Sequence, residues 1–162
     1  MPKEENPKEK LKENFAKIQE KHDLPSFDKL NEDFGIEKIE NVDSDFLIRE
    51  VRKSVSEKLS NYLRFLEILL NPSGAPMFVY TVVKAIGNDE KKKLSEVYKE
   101  LIKSEIMLIE LDAEFSDKKE ADFIKESYEM WQKMKKEILF VIDSVKKNWE
   151  NKTENGSKKY FG

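Results

Sequence analysis

The sequence predicts an all-α fold, an elongated antiparallel bundle of three long helices with shorter N-terminal and central helices. Three observations carry this. Charged residues make up 39% of the 162 positions and hydrophobic residues 38%, with only five Gly and five Pro, which suits long solvated helices and not a turn-rich β protein. Apolar residues recur at helical spacing along three long stretches. One run, MFVYTVVKAIG, is β-branched enough for a strand, but no second run exists to pair with it. The length suits a single domain with a real core.

Residues 1–43 read as an acidic arm with two short helices packing on the bundle, and they carry eight Lys against twelve Asp and Glu, a net −4. The start is charged and Pro-punctuated, without the apolar segment of a signal peptide, and fraying is expected before residue 8. Pro7 opens a helix with a narrow seam of Leu11, Phe15 and Ile18, and His22 follows near its end. Ser26 caps a second helix carrying Phe27, Leu30 and Phe34, which Gly35 closes in the left-handed conformation. An acidic connector through Ile36, Ile39 and Val42 leads into the bundle.

The bundle core is assigned to residues 44–150. Its first helix runs from Ser44 or Asp45 as N-cap to Leu70, where Asn71-Pro72 stops it, and Ile48, Val51, Val55, Leu59, Tyr62, Leu66 and Leu69 form its seam. Leu63, Phe65, Ile68 and Leu70 widen the apolar surface, so this end is expected to be enclosed by neighbours. A short core helix over 76–86 follows, with Pro76 at its first position and Gly87 just past its end. It is too short to span a bilayer, which takes about 20 residues.

The next helix starts at Asn88 or Asp89, with a seam of Leu94, Val97, Leu101, Ser104, Leu108, Leu111 and Phe115 and a second stripe of Ile102, Ile106, Ile109 and Ala113. The last helix, to about Trp149, alternates through Ala121, Ile124, Tyr128, Trp131, Lys135, Ile138, Ile142, Val145 and Trp149. Continuing the earlier seam past Phe115 lands on the charged Lys118 and Asp122. A break is therefore expected, capped by Ser116 or Asp117, with Asp117 and Glu120 at the spacing of a capping pair. The alternative is one helix of about 60 residues needing a partner chain. Residues 151–162 have no apolar period and read as a disordered tail, its Tyr160-Phe161 end a minor docking candidate.

Several chemistries are excluded by residue type. There is no cysteine, hence no disulfide, thiolate or cysteine-ligated metal, and the chain suits a reducing, cytoplasmic setting. A single histidine cannot supply the two Glu-x-x-His motifs of di-iron bundles, and it has no metal-sharing partner. The five glycines are scattered, so no phosphate-cradling loop forms. No catalytic residue, metal site or cofactor is assigned, and the chain is read as a non-enzyme. Its composition resembles that of small Lys- and Glu-rich helical proteins of archaea and some bacteria, including thermophiles, and that resemblance implies no activity.

Two binding surfaces stand out. The preferred reading is a coiled-coil-like, non-catalytic interaction or scaffold module for another protein or its own copy, through Met77, Phe78 and Tyr80 and the stripe Ile102, Ile106 and Ile109. The alternative is association with RNA or a ribonucleoprotein through a basic face of helix 45–70, with Arg49, Lys53 and Arg64 on one side and Arg52 beside it. Residues 49–64 carry five basic residues against Glu50 and Glu57, a net +3, while the whole chain is −3. The acidic arm lying across this helix is the competing explanation.

Overall fold

The chain forms an all-α helical bundle, seen in a computed structural model that describes residues 6–160, with only the backbone described for 155–160. Six helices follow in order, and no strand occurs among the described residues. They are α1 (Pro7–His22), α2 (Phe27–Phe34), α3 (Ser44–Leu70), α4 (Met77–Lys84), α5 (Asn88–Ala113) and α6 (Asp117–Tyr160), with a 3-10 turn at Ile36–Lys38. The packing resolves into two compact units, the first comprising 1–60 and 104–130, the second 61–103 and 131–162. The long helices α3, α5 and α6 each contribute a segment to both, so the stretch 44–150 read from the sequence as one core is shared between the units.

In the first unit the short helices form as their sequence dictates. Asn6 caps α1 through Lys8, and Leu11, Phe15 and Ile18 are buried. Ser26 accepts from the Lys29 amide at the start of α2, and Gly35 ends it at φ +63°. Phe15 and Phe27 meet edge to face at 5.5 Å. The α3 segment runs antiparallel to α5, since Arg52 lies near Asp112 and Ser60 near Glu105. Ser116 caps α6 by accepting from the Lys119 amide at 3.1 Å, so the break between α5 and α6 is real. Glu120 is not half of a capping pair with Asp117, because its carboxylate is bound by Arg52 instead.

The second unit departs from expectation in three places. First, α4 is not a core helix: Val79 is its buried residue, while Met77, Phe78 and Tyr80 are exposed. Pro76 sits at its N-cap, and α4 ends at Lys84 in a tightened turn, Ala85 and Ile86 donating to Val82 and Val83, so Gly87 is not its left-handed terminator.

Second, the wide apolar end of α3 is not enclosed. Leu66 and Leu69 are buried, but Phe65 and Ile68 remain exposed, because neighbouring helices cover one stripe and the apolar arc is broader than that stripe.

Third, the α6 seam takes the other alternation of threes and fours. It keeps Ile124, Trp131 and Ile138 but buries Ser127, Met134 and Val141 where Tyr128, Lys135 and Ile142 are expected. The two patterns share every seventh position, and burying Met134 avoids desolvating the Lys135 charge. The helix also continues past Trp149, where Thr153 back-bonds to the Trp149 carbonyl, and its range extends to Tyr160 over part of the expected tail. The expected fraying falls largely on residues 1–5, and Phe161 and the Tyr160 side chain likewise lie outside the described residues.

Candidate docking trough in the second unit

The basic face of α3 is largely engaged within the first unit. Arg52 holds Glu120 through two donors, Nε to Oε2 at 2.7 Å and a terminal nitrogen to Oε1 at 3.4 Å, with Asp112 3.7 Å away. Glu120 is fully buried, so this pair belongs to the core. Arg49 lies 4.0 Å over the Phe115 ring, and Lys53 pairs with Glu50 at 2.7 Å. Lys58 donates to the Asp33 carbonyl, one point at which the N-terminal arm meets this helix. Arg64 is exposed and falls in the second unit.

The apolar candidates also divide. Met77 (82% exposed), Phe78 and Tyr80 belong to the second unit, as does the half-buried Ile102, while Ile106 and Ile109 (70% exposed) belong to the first. Met77, Phe78, Tyr80 and Ile102 do not line the apolar trough of their unit.

The second unit does contain a trough of about 420 Å³ that sequence reasoning missed. One wall is α3, through Tyr62, Phe65, Leu66 and Leu69, and the other is α6, through Ile138, Val141, Ile142 and Val145. Val82 of α4, Ile86 and Leu94 of α5 complete it, and its polar lining groups are Asn61, Lys146 and the Tyr62 hydroxyl. Contacts beside the lining tie its helices together. Tyr62 meets Trp131 edge to face at 5.0 Å, and Asn148 donates to the Ala85 carbonyl at 3.0 Å, fixing the end of α4 to α6. Lys152 donates to the carbonyl of Lys84 beside it. Outside the trough, Tyr98 of α5 donates to Glu67 of α3 at 3.3 Å, and partial burial, with the nearby carboxylate adding, raises its phenol pKa.

Two lining residues sit at the edge. Phe65 is 47% exposed and Ile142 41%, so the trough is open along its length and its rim presents apolar surface to water. Covering the exposed part of each is worth on the order of 1 kcal/mol. A signal for this was present in the excess apolar width of α3 and in Val141 and Ile142 as adjacent apolar residues on α6. Nothing matches elsewhere. Comparison with protein-family models, characterised proteins and solved structures finds no similar protein.

Chemically the trough offers an almost wholly apolar surface. None of its polar side chains is a nucleophile paired with a base, and among the described residues no group of three or more His, Asp or Glu is placed to hold a metal ion. No described helix is long and apolar enough to cross a membrane.

Proposed function

We propose that the protein is a non-catalytic helical docking module, whose second unit receives an apolar-faced segment of another protein in the trough between α3 and α6. The observation that supports this is the open apolar trough itself, with Phe65 and Ile142 left exposed at its rim beside the buried Leu66, Leu69 and Val141. A contiguous apolar channel kept in water costs solubility unless it is used. With no cysteine, the chain has no need of an oxidising compartment, and the reading places its action in the cytoplasm. The RNA reading draws less support, because Arg49, Arg52 and Lys53 already have partners inside the first unit.

A photo-cross-linking amino acid placed at position 142, and separately at position 109, tests the proposal in native extract treated with nuclease. Protein adducts are expected at 142, absent at 109 and lost when Phe65→Glu is added. Adducts at 109 alone, or adducts indifferent to Phe65→Glu, would place the contact elsewhere. Retention on heparin that falls steeply with salt and disappears in an Arg49→Glu, Arg64→Glu double variant would favour nucleic acid instead.

A further inference from the structure

We infer that the trough's occupant is an acidic amphipathic helix, which seats about two turns of its apolar face between α3 and α6 and places a carboxylate against Lys146. This rests on the docking reading above and adds the partner's conformation and charge.

Conformation follows from the lining. Apart from Asn61, Lys146 and the Tyr62 hydroxyl the walls are apolar, so they offer few partners to a backbone amide or carbonyl entering the trough. A segment that seats there must satisfy its own main chain, and a helix does so. The length agrees. From Ile138 to Lys146 the wall covers about two turns, roughly 12 Å, enough for anchors at i, i+3 or i+4, and i+7. The open rim at Phe65 and Ile142 suits a rod lying along the trough, its polar face in water.

Charge follows from what stands at the mouth. Lys146 is the one ionised lining residue, it is exposed, and it makes no ion pair with a described side chain. Of the acids on these helices, Glu137 of α6 is bound by Lys93 at 2.7 Å and Glu67 of α3 by Tyr98, while Asp143 and Glu150, about one turn to either side of Lys146 on α6, make no ion pair with it. A carboxylate flanking the incoming apolar face meets a cation at Lys146, whereas a lysine there meets repulsion.

Two labelled synthetic helical peptides test this against the full chain by fluorescence anisotropy. They share leucines at i, i+3 and i+7 and differ in flanking Glu or Lys. The Glu peptide should bind about tenfold tighter at low salt. Lys146→Glu should reverse that preference, and Phe65→Glu or Ile142→Glu, each checked for helical content by circular dichroism, should abolish binding of both. Equal affinities lost in Phe65→Glu would overturn the acidic partner and leave docking intact. If neither peptide binds while cross-links at 142 persist, the helical partner is wrong but the docking reading stands; if those are absent too, both fall. Saturable palmitate binding, blocked by Phe65→Glu and unaccompanied by peptide binding, would overturn the inference in favour of a small amphiphile.

Discussion

Arg52 is where a functional reading of charge and a structural one part company. Its sequence context marks it as part of a basic face, but its guanidinium closes on Glu120, a carboxylate with no exposure to solvent. Replacing Arg52 by Met strands that buried charge and should cost about 3–5 kcal/mol in urea unfolding, much of it recovered when Glu120→Met is added. A phosphate-binding arginine would show no such loss. At the surface the expected effects are smaller. Lys119, 2.5 Å from Glu114, holds that carboxyl below the usual range through its hydrogen bond and charge, and Lys119 is raised in turn by the same hydrogen bond, against some desolvation. The small stability from Glu114 is present above the ordinary carboxylate range and is lost as pH falls through its depressed value. That from Lys119 is present below the ordinary lysine range and lost as pH rises through its raised value. In an NMR titration, Lys119→Ala should return the Glu114 midpoint to the ordinary range; an unmoved midpoint would mean the pair does not persist in solution. None of these pairings was legible in the sequence, since partners such as Arg52 and Glu120 are distant along the chain and no local rule links them.

Helices were far more legible than their faces. Caps at Ser26 and Gly35, the stop after Leu70 and the break before Asp117 all lie where local chemistry puts them. Such signals act over a few residues and survive any tertiary context. Which apolar residues are covered depends on neighbours, and there the reading of single helices falls short: α4 is mostly apolar yet buries mainly Val79, and α6 uses Met134 and Val141 in place of Lys135 and Ile142. The trough is a product of these same departures, because it forms where α3 carries more apolar arc than the fold covers. The attachment of α4 is correspondingly local. Asn148→Ala removes the side-chain donor to the Ala85 carbonyl and should speed amide exchange across 77–86 while changing global stability by about 1 kcal/mol or less. Unchanged exchange would show that Lys152 and packing hold this helix alone.

The molecule as a whole is acidic at −3, and its apolar exposure is unevenly shared. The second unit exposes Phe65, Ile68, Met77, Phe78, Leu139, Phe140, Ile142 and Trp149, while the first exposes chiefly Phe46, Ile106, Ile109 and Phe115. On the proposed reading, docking falls in the second unit rather than on the Ile106 stripe. Ile106→Glu, at an exposed position, should leave unfolding within about 0.5 kcal/mol of the parent and leave cross-linking at 142 unaffected. The most direct measurement is a methyl NMR titration of the full chain with the Glu-flanked peptide. Shifts are expected at Leu66, Leu69, Val82, Val141, Ile142 and Val145, with Ile106 and Ile109 unmoved. Shifts centred on Ile106 and Ile109, or no shifts at all, would contradict a docking trough between α3 and α6.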